Sequence, residues 1–520
     1  MKNRSVFPWL PPVSGIFFLA LWCTLLFNHT RFLLFDADTL LHIKAGEVIL
    51  QFRGLPKANL FSFVSPLPWS SHEWLSQLLT GTIHTWAGLR GIMIFFSFLI
   101  AFTYAWLFHR ISQKTHLLPS LVIISLVLPV SIIHWLARPH IFTLFFCLLF
   151  YDFLDKYQKD LRHKRLLYLL PIVTLLWVNL HAGYLLGVMF LGLYLLSNLF
   201  ASVSGQRLDT ASESWIRAKF LAMILIACLT ASLFNPAGTW MFLFPFQFTS
   251  DKLFTENIVE VLSTDFRRFP AFEIFLFAMM GVLLYSKTRL ALIEILLLLP
   301  LLHLSLQFRR QMPLFALIAA PVLAKYANRC IEKTDKRLRF FFHAFQNVPT
   351  QLTFKNLAVS FLIAAVIGAL FVLKDKRPLL REDRHPVKAV EFLKKESLSG
   401  NLFNDDEFGD FLVYAAWPKY KVFIDGRSDV YGMQGAEVCR DYVKVQGLNP
   451  EWEDILKKYE INWIMIRTDS ALSVLLKTSK RWHLIYTDKI ADIFVKDLSA
   501  NRPLIEKYAS RLMTKAGTET

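Results

Sequence analysis

Long apolar runs constrain this chain more than any other feature of its sequence. An α-helix needs roughly 20 apolar residues to cross the hydrocarbon core of a bilayer, and 54% of all residues are hydrophobic, which is too many for an ordinary soluble domain. We therefore predict an α-helical polytopic membrane protein with about eleven transmembrane helices. The predicted spans are approximately residues 12–30, 91–109, 117–136, 141–154, 166–180, 182–200, 220–235, 271–286, 290–306, 313–328 and 357–373.

Charge and cysteine content exclude two classes of protein. The net charge of +17 comes from short basic bursts between the apolar runs, which is typical of cytoplasmic loops, so we predict no nucleic-acid partner. Three of the five cysteines, Cys23, Cys147 and Cys228, fall inside apolar runs. Their spacing therefore predicts neither a disulfide framework nor a zinc site.

The basic loops also predict the orientation in the membrane. The N-terminus and residues 155–165 and 325–339 are rich in lysine and arginine, so we place these segments in the cytoplasm. An odd number of spans then exports the C-terminal residues. The predicted domains are 1–373, the membrane domain with its first outer loop at 31–90, and 374–520, an extracytoplasmic α/β domain. Other predicted outer segments are residues 137–140, 179–181, 235–270 and 307–313.

The first outer loop opens with the sequence LLFDADTLLHIKAGE, which places Asp36, Asp38 and His42 next to one another. Residues 39–52 have the apolar spacing of an amphipathic interfacial helix, with Asp38 as its predicted N-cap. One interpretation is that Asp38 only caps this helix. The other is that the two carboxylates and the imidazole of His42, one turn after Asp38, form a substrate site.

Polar residues recur at the ends of the other outer spans. Ser70 and Glu73 form a predicted capping box, so Glu73 is interpreted as structural, while His72 is a candidate site residue. An interfacial arginine commonly binds lipid headgroups, but the gathering of these residues on one side favours a shared site. The remaining substrate-binding candidates are Arg138, His140, Asn179, His181, Arg309 and Arg310.

The kinds of charged residue in the chain, and their positions relative to the predicted spans, indicate which reaction the protein could support. Apart from Glu294, few strong charges lie near the middle of the predicted spans, which makes a secondary transporter less favoured. Arginine binds phosphate through charge-assisted hydrogen bonds, and a carboxylate can take the proton of an attacking hydroxyl. Together these groups suit a sugar carried on a lipid-linked phosphate.

The motifs DADTLLHIKAGE, ARPHIFTL, LWVNLHAGYLLG and FNPAG resemble the GT-C superfamily of integral membrane glycosyltransferases, and in particular a bacterial RgtA/B/C/D-like branch. This resemblance covers most of residues 12–330. It implies a glycosyltransferase of the bacterial inner membrane, which moves a sugar from a polyprenyl-phosphate or polyprenyl-diphosphate donor to an acceptor, with Asp36 or Asp38 as the base. The alternative is a non-catalytic binder or translocator of lipid-linked glycans on the same scaffold.

The expected partners are the lipid bilayer, the polyprenyl-linked donor and an acceptor that is a glycan, a lipid or a protein. No cofactor is predicted. A divalent cation is compatible with the sequence, because two aspartates can hold one together with a substrate phosphate.

The C-terminal residues alternate between predicted strands and helices. Strands are expected at Lys421–Ile424, in INWIMIR and in HLIYTD and ADIFVKD, and a helix capped by Asn449 is expected in NPEWEDILKKYE.

The stretch FNDDEFGDFLVYAAWPKYKVFIDGRSDVYG is similar to the same bacterial branch and, more distantly, to the WWDYG region of oligosaccharyltransferases, without its tryptophan pair. Asp425 and Arg427 are candidate substrate-binding residues here, and Arg427→Ala is expected to leave the domain folded while weakening acceptor use. The other interpretation of Asp405, Asp406, Asp425, Arg427 and Asp429 is turn chemistry and a surface ion pair.

Overall fold

The structure is a computed structural model, and it describes residues 12–27, 30–64, 69, 71–204, 208–243, 246, 262–335, 337, 339, 342, 354–431 and 435–508. The chain divides into two compact units. The helical unit comprises residues 1–33 and 90–376, and the α/β unit comprises residues 34–89 and 377–520.

The principal helices and the strands are numbered in chain order. The helices are α1 (Val13–Phe27), α2 (Asp38–Phe52), α3 (Trp74–Ser112), α4 (Leu117–Ser131), α5 (His140–Lys159), α6 (Leu170–Leu180), α7 (Leu185–Ser204), α8 (Leu208–Ser232), α9 (Pro270–Ser286), α10 (Leu292–Gln307), α11 (Met312–Glu332), α12 (Phe354–Lys374), α13 (Val387–Lys395), α14 (Asp406–Ala416), α15 (Ala436–Gln446), α16 (Trp452–Lys458) and α17 (Ala471–Lys477). The strands are β1 (Asn401–Asn404), β2 (Ile461–Arg467), β3 (Trp482–Thr487) and β4 (Ala491–Lys496).

Each predicted span overlaps one of these helices, and the chain is a polytopic membrane protein. Within the described residues, five helical segments are long and apolar enough to cross a bilayer: Trp74–Ser112, Leu117–His134, Ala182–Ser204, Ala211–Ser232 and Arg309–Glu332. Four further apolar helices are shorter, namely Val13–Phe27, Pro270–Ser286, Leu292–Gln307 and Ala358–Lys374. Helix α6 has only 11 residues, which is short for a span. The number of spans and their orientation stay predictions.

Helix α11 lies inside the helical unit. All of its residues from Met312 to Ala324 are buried, and it packs against α4, α5, α9 and α10. A helix that is apolar all round is expected in such a central position.

Helix α3 passes from one unit to the other at a kink. Gly88 has φ 60° and ψ −162°, a backbone conformation outside the helical region that glycine adopts more easily than other residues. The part before Gly88 belongs to the α/β unit, and the apolar part after it overlaps the predicted span at 91–109.

The α/β unit contains a four-stranded sheet in the order β1-β2-β4-β3. Strand β1 is parallel to β2, while β4 is antiparallel to both β2 and β3. The strands expected in INWIMIR, HLIYTD and ADIFVKD are confirmed as β2, β3 and β4, and a helix is confirmed in NPEWEDILKKYE as α16. Glu451, rather than Asn449, holds the N-cap position of α16.

The prediction of a strand at Lys421–Ile424 is wrong. Val422 instead makes an isolated parallel bridge with Ser62, supported by a 2.9 Å hydrogen bond from its N–H to the Phe61 carbonyl. Residues 34–89 accordingly group with the C-terminal residues, whereas the sequence placed them with the membrane domain. The second part of the α/β unit begins at Arg377, and the predicted domain boundary at 373/374 stays a prediction.

Candidate functional site

Asp36, rather than Asp38, caps helix α2. The backbone N–H of Asp38 donates a 3.0 Å hydrogen bond to Oδ1 of Asp36, and Asp38 is itself the first helical residue. The N-cap position is held by Ala37, which has no side-chain acceptor. The prediction of Asp38 as N-cap is therefore wrong. The side chain of Asp36 has the capping role, and the carboxylate of Asp38 does not cap the helix.

The carboxylate of Asp38 faces an imidazole on its own helix. Nε2 of His42 lies 3.8 Å from Oδ1 of Asp38 and 3.8 Å from Oε2 of Glu73. Nε2 of His72 lies 3.7 Å from the other oxygen of Glu73. The structure thus brings Asp38, His42 and His72 together around Glu73, which the sequence had assigned only to a capping box. Ser70, its predicted partner in that box, lies outside the described residues.

A close helix crossing fixes this arrangement. A Cβ atom on Gly46 of α2 would lie 1.8 Å from the carbonyl oxygen of Gln77 in α3, and one on Gly81 would lie 2.5 Å from the Gly46 carbonyl carbon. Real Cβ atoms do not approach other atoms so closely, so both positions need glycine. The crossing also brings Nε2 of Gln77 to 3.5 Å from Nδ1 of His42.

A buried carboxyl group that the sequence analysis did not select lies in α14, which packs against α2. Oδ1 of Asp410 accepts a 2.7 Å hydrogen bond from the backbone N–H of Gly426. Burial raises the pKa of Asp410 well above its usual value, and the negative charges of Asp38, Asp425 and Asp36 raise it further. Asp410 therefore binds its proton more tightly than a solvent-exposed aspartate does.

The position of Asp410 predicts a pH-dependent stability. The folded state binds this proton more tightly than the unfolded chain, so its stabilising effect is complete below about pH 4 and is lost as the pH rises towards the folded-state pKa. Asparagine keeps an acceptor for Gly426 without ionising. We expect Asp410→Asn to raise the melting temperature of the purified protein, and to raise it more at pH 8 than at pH 5.

A matched control is Asp441→Asn. Asp441 is also buried, but its Oδ2 lies 2.7 Å from Nζ of Lys458 and 2.9 Å from the Tyr459 hydroxyl. Losing this ion pair should lower the melting temperature at both pH values. A lower melting temperature for Asp410→Asn at pH 8 would show that the Asp410 carboxylate is ionised and bound there.

Asp425 and Arg427 form a buried ion pair. The guanidinium donates to both carboxylate oxygens of Asp425, from Nε at 2.8 Å and from Nη2 at 2.6 Å, and the two residues are only 3% and 6% exposed. The interpretation as a surface ion pair is therefore wrong for these two residues. Arg427 also lies over the rings of Phe61 (4.8 Å) and Trp69 (5.1 Å) and donates to Oδ1 of Asn59.

The neighbouring acidic residues lie at the start of α14. Asp405 is the N-cap residue, and burial with the nearby charges of Asp406 and Glu407 raises its pKa to about 7. Its Oδ1 is buried and accepts no hydrogen bond from the part of the chain that the structure describes. Asp406 accepts a hydrogen bond from Tyr442. The side chain of Asp429 lies outside the described residues.

Residues 381–385 hold the backbone just before Asp36. The guanidinium groups of Arg384 and Arg381 lie 4.2 and 5.3 Å from the ring centre of Phe35. Nε2 of His385 lies 3.0 Å from the carbonyl oxygen of Leu34, to which it donates. The C-terminal part of the chain therefore positions the loop that carries Asp36 and Asp38.

The helical unit holds the other six predicted residues, beginning with a histidine pair. His140 is the first residue of α5, and its Nε2 donates to the carbonyl of His134 at 2.8 Å. The two imidazole rings are 4.6 Å apart in an edge-to-face arrangement. Arg138 lies two residues before His140, in the turn between α4 and α5.

The LWVNLHAGYLLG and FNPAG motifs meet at a junction in the helical unit. Nδ2 of Asn179 donates to the carbonyl of Phe234 at 2.9 Å, and Nδ2 of Asn235 donates to the carbonyl of Val178 at 2.9 Å. These bonds tie the end of α6 to the end of α8. Asn179 thus has a structural role whether or not it also contacts substrate.

His181 joins this junction to α5. Its Nδ1 lies 2.7 Å from the hydroxyl of Thr143 and accepts from the backbone N–H of Gly183 at 3.0 Å. A side chain at Gly183 would meet the Thr143 hydroxyl at 2.4 Å, which explains the glycine in this motif.

The two arginines of the QFRRQMP segment form a short 3₁₀ turn, Arg309–Gln311, that leads directly into α11. The guanidinium of Arg309 lies 5.6 Å from the ring centre of Phe269, and its backbone N–H donates to Leu262. Both arginines therefore sit at the start of the central helix.

The predicted site residues divide evenly between the units. Six belong to the helical unit, namely Arg138, His140, Asn179, His181, Arg309 and Arg310, and six belong to the α/β unit, namely Asp36, Asp38, His42, His72, Asp425 and Arg427. Among the residues that the structure describes, no group of three or more His, Cys, Asp or Glu is arranged to hold a metal ion. Substrate and catalytic roles of all twelve stay predictions.

Comparison with known proteins bears on the fold. No family model matches the chain, and no curated protein matches its sequence. The crystal structure of the Archaeoglobus fulgidus oligosaccharyltransferase in the apo form has a TM-score of 0.55 at 10% sequence identity, over 94% of this chain and 74% of that chain. A further structure of that enzyme, with zinc and sulfate, covers 93% of this chain and 73% of its own at 11% identity, but its TM-score of 0.48 adds no weight. The chain therefore shares its fold with this archaeal oligosaccharyltransferase, whereas membership of the GT-C superfamily and of its bacterial RgtA/B/C/D-like branch stays a prediction.

Proposed function

We propose that the chain is a glycosyltransferase that moves a sugar from a polyprenyl-phosphate-type lipid donor to an acceptor at the outer face of the bacterial inner membrane. The fold supports lipid-linked glycosyl transfer as a class, although a fold alone does not define an activity. The observation that carries the proposal is the separation of roles between Asp36 and Asp38: Asp36 caps α2, and Asp38 faces His42.

In this mechanism the acceptor hydroxyl attacks the anomeric carbon of the donor sugar. The new glycosidic bond forms as the bond from the anomeric carbon to the phosphate oxygen breaks, and polyprenyl phosphate leaves with that electron pair. Asp38 takes the hydroxyl proton, and the imidazole of His42 lies 3.8 Å from its carboxylate. Guanidinium groups are the expected partners of the leaving phosphate, because they neutralise the charge that develops on it.

Deleting the gene from its host tests the proposal. Lipid-linked and surface glycans from the deletion strain should lack one sugar, and the acceptor that lacks this sugar should accumulate. Re-expression of the full chain should restore the sugar. An unchanged glycan profile in the deletion strain would contradict transfer, whereas accumulation of the complete lipid-linked glycan at the cytoplasmic face would favour the translocator alternative.

A further inference from the structure

The α/β unit contains a cavity that none of the twelve predicted residues lines. It lies between α2, the first part of α3, α13 and α14, and encloses about 370 Å³. Small-molecule sites typically start at roughly 300 Å³, so the cavity has room for one small ligand.

One wall of the cavity is a continuous chain of hydrogen-bonded polar groups. Oε2 of Glu47 accepts from Nζ of Lys44 at 2.7 Å, and its Oε1 lies 2.7 Å from Nδ1 of His84. Nε2 of the same imidazole lies 3.1 Å from the Tyr414 hydroxyl. The hydrogen bond from His84 and the charge of Lys44 lower the pKa of Glu47 to about 2, so its carboxylate is ionised at neutral pH. This wall therefore offers fixed donors and acceptors.

The other wall is apolar. It is formed by Leu380, by Val387 and Val390 of α13 and by Phe411 of α14. A ligand that fills the cavity must therefore present an apolar face to one wall and hydrogen-bonding groups to the other.

The charges of the lysines and glutamates around the cavity cancel. Lys44 and Lys394 are balanced by Glu47 and Glu391. Glu391 and Lys394, which both belong to α13, are exposed and form no ion pair with other described residues. A phosphate would be favoured by a net positive site, and an ammonium group by a net negative one. A neutral ligand rich in hydroxyl groups fits best, and a sugar ring has C–H groups on its faces and hydroxyl groups along its edge.

We propose that this cavity binds one neutral sugar residue. Tyr414, Glu47 and Lys44 would bond the hydroxyl groups, while Val387 and Val390 cover an apolar face. The assignment of this sugar to the acceptor glycan rests on the proposed function, but sugar binding itself does not.

Saturation-transfer NMR on the full chain in lipid nanodiscs tests the proposal without sugar-based detergent. The probe is an equimolar mixture of the methyl glycosides of glucose, galactose, mannose and N-acetylglucosamine. We expect saturation transfer from the protein to at least one of these glycosides. This saturation transfer should be lost in Val387→Trp and fully retained in Lys395→Trp. Both substitutions add an indole to α13, but Lys395 does not line the cavity.

A second variant covers the case in which Val387→Trp does not fold. Tyr414→Phe removes one hydroxyl without changing the shape of the rest of the side chain, and it should weaken the saturation transfer to the sugar several-fold. The proposal is overturned if the wild type shows no transfer, if Tyr414→Phe and Val387→Trp bind as the wild type does, or if glycerol 3-phosphate displaces the sugar from the cavity. Because no donor or turnover is needed, a negative result here is independent of the glycan profile of the deletion strain.

Discussion

Asparagine at position 38 is expected to lower the rate of glycan transfer by about 10²- to 10⁴-fold, because the amide cannot take the proton of the attacking hydroxyl. The variant should still fold, since Asp38 does not cap α2 with its side chain. The measurement is transfer in membranes prepared from the deletion strain that expresses each variant, with the endogenous lipid-linked donor. A melting curve on the same preparation separates catalysis from folding.

Asp36→Asn is the matched control. Its Oδ1 still accepts from the Asp38 N–H, so capping is kept and transfer should stay close to the wild-type rate. Asp36→Ala removes the acceptor and should cost about 1 kcal/mol of stability, which is typical of a lost cap. Full transfer by Asp38→Asn would rule out Asp38 as the base. Loss of transfer in Asp36→Asn alone would move this role to Asp36.

The sequence was sufficient for the features that depend on local pattern. The apolar runs predicted the helices of the helical unit, and β-branched and aromatic runs such as INWIMIR predicted β2, β3 and β4. Such patterns are read within a window of 10 to 20 residues. The placement of His42 one turn after Asp38 needed only the helical repeat, and the 3.8 Å distance between their side chains confirms that these two residues are neighbours.

The remaining features depend on contacts between distant residues. The hydroxyl of Ser62 bonds the carbonyl of Phe423 across 361 positions, and this pairing is why Lys421–Ile424 is not a strand of the sheet. Asp410 was overlooked for the same reason, because the burial that raises its pKa comes from other segments of the chain. Glu73 carried one local signal, the histidine that precedes it, which the capping-box interpretation obscured.

Arg427→Ala is expected to destabilise the α/β unit by about 3–5 kcal/mol, the usual cost of removing one partner from a buried ion pair. The sequence alone had suggested a folded domain with weaker acceptor use, but that expectation assumed an exposed guanidinium. In the structure the substitution leaves the Asp425 carboxylate buried without its bidentate partner and opens a space beside the rings of Phe61 and Trp69. The measurement is the melting temperature and the protease resistance of the full chain.

A second variant separates burial of charge from loss of packing. Asp425→Asn with Arg427→Met removes both charges and keeps most of the side-chain volume beside the two rings, so it should recover a large part of the stability lost in Arg427→Ala. If the double variant is as unstable as Arg427→Ala, the loss comes from packing against Phe61 and Trp69 rather than from the unpaired carboxylate. If Arg427→Ala has the melting temperature of the wild type, and its glycan-transfer reaction has a raised KM for the acceptor, the ion pair is dispensable for folding. The guanidinium would then belong to the acceptor site.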